Sequence, residues 1–417
     1  MGLIKEMNSI FEVSDVFDLV RKAARKHTYK LREQGRISFS EPKAGDVPSI
    51  YVARRTLPEV WEDMNVALLG IGQTVHTHYD PGHEKGKYES FPSMEATGIM
   101  HIEEPFGEPR FHKNFLGGYL GFGDYKAEIE GLKDSWVLNP AIVVDLLKKG
   151  KFDTIKDYKS WLYSYSQRIR AYPYIDIEGK PQVINQLNSV VANLTNLPIS
   201  RSAQCVTWDP RFDHNDGQMD YIDKDGKKQR AVFDDYHAPC LQRLWFRVIP
   251  FEDGFKLNAN THWRSRDHPK AVPANIYGVT EGMIEHVRKS LEEALGVPVK
   301  MGRYVDINDS LHLYGHYYDE RRGGVDATGY LEDILRVIKG EPIENRLIIP
   351  GTMLYDVAME EIGKEYKLRI ENPNYGRNME EAVVVKKIKP KIRTIKFKTI
   401  SKKTTRSQKK DKQKKKI

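Results

Sequence analysis

Two cysteines in 417 residues, Cys205 and Cys240, are too few for a disulfide framework or a thiolate metal cluster, so each has to be read singly. No stretch approaches the roughly 18 uninterrupted apolar residues that a bilayer-spanning helix needs. Met1–Phe11 carries Lys5 and Glu6 where a signal peptide would have an apolar run, so a cytoplasmic protein is expected, with no membrane partner. The chain also lacks an internal repeat.

Acidic residues are nearly missing from one end. From Lys386 to Ile417 there are 16 Lys and Arg against one acid, Asp411, so the net charge of +8 divides into a tail near +15 and a body near −7. The basicity belongs to the tail. That tail has no packable face after Phe397 and is expected to be disordered, either a solubilising segment or one that binds nucleic acid weakly. The whole chain is 40% hydrophobic and 10% aromatic, enough for a sizeable core in one large domain with additions, or two domains.

Apolar positions at helical spacing over Asn8–Leu31, including Val13, Val16, Phe17, Val20 and Ala24, predict an amphipathic helix. Ser38–Ser49, with Pro42, Gly45 and Pro48, reads as a connector, and a second start follows at Ile50-Tyr51-Val52. Three divisions are therefore expected: residues 1–49 as a helical extension and connector, 50–385 as the catalytic body, and 386–417 as the tail. Within the body, Thr56–Leu69 predicts a helix capped by Thr56, with Pro58 just inside it. Gly70–Pro109 reads as loops and short strands, Pro181–Leu194 as a helix, Ala203–Trp208 and Leu241–Ile249 as strands, and Asp209–Tyr236 as a long polar excursion. Thr280–Leu295 is a helix closed by Gly296 and Pro298, and Met353–Tyr366 is an acidic helical stretch.

Reactive groups gather in four islands. Ala238-Pro239-Cys240 opens an apolar run, and a cysteine at a strand's mouth can be exposed, where a nearby cation favours the attacking thiolate; a single cysteine can equally be an inert core residue. Arg264-Ser265-Arg266-Asp267 offers a fork of donors and a hydroxyl suited to a phosphate, unless the arginines form a solvated face. Asn275, eight residues after Asp267, can both donate to and accept from an amide-like base edge. Ser200-Arg201-Ser202 precedes a strand and could supply another phosphate ligand. In His312-Leu313-Tyr314-Gly315-His316 two histidines four apart could hold a metal on one helical face, but the intervening glycine and the missing carboxylate pattern favour sugar hydroxyls, and no metal is expected.

In this order and spacing the islands resemble the thymidylate synthase family, with its Pro-Cys nucleophile, its Arg-Ser-x-Asp stretch followed by an Asn, and its His-x-Tyr motif. The likeness extends to Ser200-Arg201, Trp208, Tyr165 in Ser164-Tyr165-Ser166-Gln167-Arg168 and, loosely, Tyr125–Gly131, covering about residues 50–350. The resemblance implies an α/β fold of the α+β type, one large mixed sheet packed by helices. It also implies a homodimer formed through the sheet, so that Arg201 reaches the partner's site.

The resemblance further implies that Cys240 adds to C6 of dUMP and that 5,10-methylenetetrahydrofolate, the co-substrate, delivers one carbon to C5. Arg264, Ser265 and an Arg201 given in trans would hold the phosphate, Asn275 the base, and His312 with Tyr314 the ribose 3′-hydroxyl. Asp267 and Ala271 would meet the folate. Glu128 would run the proton transfers, with Tyr165 completing its water network.

The sequence departs from the family at Trp263 (usually Gln), Leu241 (often His), Ala271 (Gly) and Ser202 (a second phosphate Arg), and Arg243 or Arg266 could rebuild the phosphate clamp. The short C-terminal lid that excludes water in thymidylate synthases is not visible. Admission of water would turn the methylene intermediate into hydroxymethyl, as in the pyrimidine hydroxymethylases of this fold, while exclusion lets a hydride make methyl. The preferred expectation is a deoxyuridylate hydroxymethylase making 5-hydroxymethyl-dUMP, for DNA with modified bases as in some viruses of bacteria, then acting in the host cytoplasm. The alternatives are a thymidylate synthase making dTMP and dihydrofolate, and a catalytically dead nucleic-acid-binding relative.

Overall fold

The computed structural model describes residues 13–77, 91–134, 137, 149, 163–178, 181–210, 213, 218–223, 225–233, 238–317, 327–372 and 385–388. Helix α1 (Val13–Glu33) buries Phe17, Val20, Ala24 and Leu31 along one stripe, and the expected turn before it, residues 8–12, lies outside the described residues. Short strand β1 (Ile37–Phe39) stands inside the expected connector and is followed by β2 (Ser49–Arg54). Helix α2 (Leu57–Ile71) starts where Thr56 and Glu59 close a capping box, with Pro58 in the first turn. A Cβ at Gly70 would stand 2.8 Å from the backbone of Arg25, so glycine is what lets α1 lie directly on α2.

After β3 (Gln73–Val75) comes β4 (Ser93–Ile102), a ten-residue strand where the sequence suggested loops and short strands. Its Met94, Ala96, Met100 and Ile102 alternate into the core, a period-2 signal hidden by the Gly and His residues upstream. Next are β5 (Phe111–His112), helix α3 (Leu120–Ile129), helix α4 (Tyr165–Arg170), β6 (Tyr172–Ile175) and β7 (Pro181–Ile184). The helix expected over Pro181–Leu194 is corrected here: its first four residues pair with β6 as a hairpin, and helix α5 (Gln186–Asn196) begins only where the Asn185 side chain accepts from the Asn188 N–H. Val183 and Ile184 are β-branched and exposed, which suits a strand, and the Asn185 cap stops the helix from extending upstream.

Strand β8 (Gln204–Val206) precedes a hairpin of β9 (Gln218–Ile222) and β10 (Lys228–Phe233), which gives the polar excursion a framework. Long strands β11 (Leu241–Phe251), β12 (Gly254–Asp267) and β13 (Val299–Leu313) form the sheet's centre. Between β12 and β13 run helix α6 (Ala271–Val279), a π turn over Thr280–Ile284 and helix α7 (Glu285–Leu295), closed by Gly296 at φ 66°. Helix α8 (Ala327–Ile338), β14 (Leu347–Ile348), helix α9 (Met353–Glu371) and β15 (Val385–Ile388) complete the chain. Strand β15, whose last three residues begin the expected tail, pairs with β10; residues 389–417 lie outside the described residues.

The fold is α/β of the α+β type, and its main sheet runs β1-β2-β4-β13-β12-β11-β8, with β3 on β4. Two pairs are parallel, β2 with β4 and β12 with β13, and the others antiparallel, making it a large mixed sheet. Helices α1, α2, α6 and α7 contribute Val20, Leu68, Val272 and Val287 to one buried cluster with inward residues of the strands, such as Leu244, Leu257 and Tyr304. Because β12 and β13 run parallel, both end at the same edge, where β11 begins. Among the described residues no helix is long and apolar enough to cross a membrane.

Candidate active site

Cys240 sits half-buried immediately before β11, in a turn whose backbone is tied on every side. Its N–H donates to the Tyr165 hydroxyl at 3.2 Å, and its carbonyl accepts from the Arg264 N–H at 2.9 Å. The Arg264 guanidinium donates to the Ala238 carbonyl at 2.5 Å and to the Pro239 carbonyl at 3.1 Å, and Gln242 Nε2 donates to Pro239 at 2.6 Å. A bulge between Leu241 and Arg243 interrupts the β11–β12 ladder beside the cysteine, the kind of irregularity that re-aims a strand end. The result is a thiol held at a strand mouth next to a guanidinium that no carboxylate neutralises among the described residues. Cys205 contrasts with it: fully buried on β8, its thiol is pushed up to about 12 by desolvation, which leaves it inert.

Helix α3 brings Glu128 to the same place. Burial raises its carboxyl above the usual range, against the pull of Lys133 Nζ at 3.5 Å. Three phenols surround the two groups. Tyr125, one turn before Glu128, is raised well above its ordinary value by burial, then by the charges of Glu128 and Cys240, and its hydroxyl is buried with no hydrogen-bond partner among the described residues. Tyr163 is raised by burial, by Cys240 and by Glu128. Tyr165 is raised by burial, by Tyr163 and by Cys240. Glu128 and Cys240 thus act on shared phenols, although nothing in sequence spacing links positions 128 and 240. The close approach of α3 depends on two glycines: a Cβ at Gly278 would meet the Tyr125 ring at 2.6 Å, and one at Gly282 would meet Ile129 at 2.8 Å.

In the Arg-Ser-x-Asp stretch the regular alternation of β12 breaks, with buried Trp263 and buried Arg266 three residues apart. Arg264 and Ser265 are partly exposed, and the Ser265 hydroxyl makes no hydrogen bond among the described residues. Arg266 is 3% exposed and wholly committed, so it is not the spare phosphate ligand that the sequence allowed. Its Nη1 donates to Asp306 at 2.5 Å, Nη2 to the Val272 carbonyl at 3.3 Å and Nε to Asn275 Oδ1 at 3.1 Å, while its guanidinium carbon lies 3.9 Å from the centre of the Trp263 ring. Arg243 is exposed on β11.

Asp267 and His312 are register partners at the ends of β12 and β13. Asp267 accepts from Tyr317 at 2.5 Å, keeps Oδ1 buried without a hydrogen-bond partner among the described residues, and is pushed up to about 6 by desolvation. Burial lowers the His312 imidazole to about 4; its Nδ1 faces the Ser310 carbonyl at 3.2 Å, and its Nε2 is buried without a hydrogen-bond partner among the described residues. The Tyr314 ring packs against both His312, 4.5 Å between centroids, and His316, at 5.3 Å. Among the described residues no group of three or more His, Cys, Asp or Glu is placed to hold a metal. Ala271 opens helix α6, four residues before Asn275.

Cys240, Arg264, Ser265, Asp267, Asn275, His312 and Tyr314 therefore gather at one sheet edge, with Glu128 and Tyr165 beside the cysteine. Arg201 does not join them: it is exposed, and among the described residues only its carbonyl is engaged, by Trp245 Nε1 at 3.0 Å. Sequence reasoning missed the work of Arg266, Tyr125, Tyr163, Asp306 and Tyr317. Of these Arg266 carried a signal, its place inside the Arg-Ser-x-Asp motif, and Tyr125 a looser one, its place at the start of the Tyr125–Gly131 likeness.

No protein-family model matches the chain. It is similar to the curated protein named "Putative thymidylate synthase" of Methanosarcina barkeri, 29% identical over 157 residues, which are 38% of this chain and 55% of that one. The protein of the same name from Methanocaldococcus jannaschii is 30% identical over 153 residues, 36% of this chain and 55% of its own. The one from Methanopyrus kandleri is 25% identical over 240 residues, 57% and 83% of the two chains. The chain spans about half the length of most of the curated relatives it matches.

Proposed function

The chain is thymidylate synthase-like, and from that premise we propose that it transfers a one-carbon unit from 5,10-methylenetetrahydrofolate to C5 of dUMP through a bond between Cys240 Sγ and uracil C6. The observation that carries this reading is the pinned, half-exposed Cys240 between the Arg264 guanidinium and the burial-raised Glu128 carboxyl.

The thiolate adds to C6, and the electron pair moves through C5 to O4, making C5 the nucleophile that bonds to the folate's methylene carbon. Loss of the C5 proton and expulsion of tetrahydrofolate leave an exocyclic methylene. Glu128 relays protons between base and solvent, and its raised affinity for a proton suits that work near neutral pH. Tyr165 holds the nucleophile's backbone, and its own proton is free to enter a water network. Arg264 and Ser265 take the phosphate, helped by Arg201 from a second copy in a sheet-to-sheet homodimer. His312 Nε2 and Tyr314 take the 3′-hydroxyl, Asn275 reads the base, and Asp267 with Ala271 meets the pterin.

Water completes the preferred reaction: hydroxide adds to the methylene, the Cys240–C6 bond breaks, and 5-hydroxymethyl-dUMP leaves. The buried Tyr125 hydroxyl, which has no hydrogen-bond partner among the described residues, supports this version as a polar group that a reacting water could pair with. The names of the relatives favour the second version, in which tetrahydrofolate gives a hydride and dTMP and dihydrofolate form. Mass analysis of the nucleotide made from dUMP and methylenetetrahydrofolate separates them. Formation of dTMP with dihydrofolate removes the hydroxymethylase, and no conversion of any pyrimidine nucleotide removes both.

A further inference from the structure

The guanidinium of Arg266 has only donors, so the Asn275 atom 3.1 Å from its Nε is the amide oxygen, and hydrogen-bond chemistry fixes which way this amide points. Arg266 cannot turn to follow it. Asp306 holds Nη1, the Val272 carbonyl holds Nη2, and the ring of Trp263 covers one face of the guanidinium. Asp306 is itself fully buried, accepting from Thr261 at 3.0 Å, Tyr304 at 2.7 Å and Asn308 at 2.5 Å. The Asn275 Nδ2 group, in contrast, makes no hydrogen bond among the described residues and lies on a half-buried side chain.

We propose that Arg266 is a positioning residue that locks and polarises the Asn275 amide, so that Nδ2 serves as a one-way donor to the 4-oxo group of a uracil nucleotide. This deepens the function proposed above and rests on it. A free asparagine could flip to meet either an oxo or an amino group at position 4; a flip here would set the NH2 against the Arg266 N–H. Cytosine would then present its amino group to a second amino group, leaving both unpaired, which is how a buried polar site rejects the wrong ligand. The arrangement also works during the reaction. When Cys240 adds to C6, negative charge collects on O4, and an N–H whose amide oxygen is bound to a cation is the stronger donor to it. Trp263, a departure from the family pattern, finds its use here as the platform under Arg266.

The test is Arg266→Lys, which keeps the charge beside Asp306 but lacks the planar fork that reaches Asn275 and Val272 together. Turnover with dUMP and with dCMP is measured for the wild type, Arg266→Lys, Asn275→Ala and the double variant. The expected result is a uracil preference about tenfold or more smaller in Arg266→Lys, with dUMP turnover reduced more than its KM is raised. In the Asn275→Ala background the same substitution should change the preference less than about twofold, because its effect passes through that amide. A loss shared equally by both nucleotides, or a full effect persisting without Asn275, overturns the proposal. Should the lysine variant not fold, a structure of the wild type with dUMP decides: Asn275 Oδ1 must stay on Arg266 while Nδ2 faces O4, and a flipped or released amide overturns it. Release of tritium from C5-labelled dUMP by the wild type separates the two levels. Its absence removes the proposed function, whereas its presence with an unaltered preference in the lysine variant removes only the role of Arg266.

Discussion

The Tyr165 hydroxyl accepts the backbone N–H groups of both Cys240, at 3.2 Å, and Leu241, at 3.4 Å. A single side-chain oxygen thus fixes the residue before the strand and the first residue within it. Tyr165→Phe leaves both amides unsatisfied in a partly buried place, so a stability loss of about 1–3 kcal/mol is expected, read from denaturant unfolding. Turnover should fall about tenfold or more, because the thiol is no longer held in one position.

The two cysteines should separate cleanly. Cys240→Ser removes turnover by about a thousandfold or more, while Cys205→Ser retains it, because the Cys205 thiol is buried and held at about 12. One equivalent of iodoacetamide should label the native protein near neutral pH, at Cys240 by peptide mass. Labelling at Cys205 in the folded state would contradict the burial argument.

Glu128→Gln should lower turnover about a hundredfold or more and yet raise the melting temperature at pH 8. The folded carboxyl binds its proton more tightly than the unfolded one, so its contribution to stability is full at low pH and is lost as pH rises through the raised value. The neutral amide escapes that loss. The gain should therefore shrink when both proteins are melted near pH 4.

Asp267 gives a second pH signature by the same sign. Its folded value of about 6 means that it is ionised above that pH, where the carboxylate can accept from the folate's N–H donors. The wild-type kcat/KM for methylenetetrahydrofolate should rise through about pH 6. In Asp267→Asn that limb should vanish and KM should rise, as steady-state kinetics across pH 5 to 8, roughly, will read.

Gly278→Ala tests the approach of α3. The new Cβ would stand 2.6 Å from the Tyr125 ring, and the helix carrying Glu128 would have to shift. A destabilisation of about 1–3 kcal/mol is expected, together with a loss of turnover larger than stability explains. Gly329→Ala, where a Cβ meets nothing within 4 Å, should leave turnover unchanged.

Much of this was legible because capping and strand ends leave local marks. Thr56 with Pro58 announced α2, Gly296 announced the end of α7, and Pro239-Cys240 stood at the mouth of β11 as expected. The helix over Ala271–Val279 was not, since Pro273 and two nearby glycines mask its periodicity, so Asn275 was named without its helix. Nor could residue order reveal that Tyr125 lies near Cys240, or that Arg266 is buried against Asp306 while Arg264 stays partly exposed beside Ala238 and Pro239. These are pairings made by tertiary packing: regular alternation would put Arg264 and Arg266, two residues apart, on one face, and the break between buried Trp263 and buried Arg266 separates them. Arg201 stands exposed and apart from the other residues of the site.

The parallel run of β12 beside β13 places Asp267 next to His312 on adjoining strands. Under the roles proposed here, one meets the carbon donor and the other the sugar of the acceptor. Neighbouring strands in any sheet stand about 4.8 Å apart, so the backbone ladder itself, and not a loop, sets how far apart these two side chains are rooted.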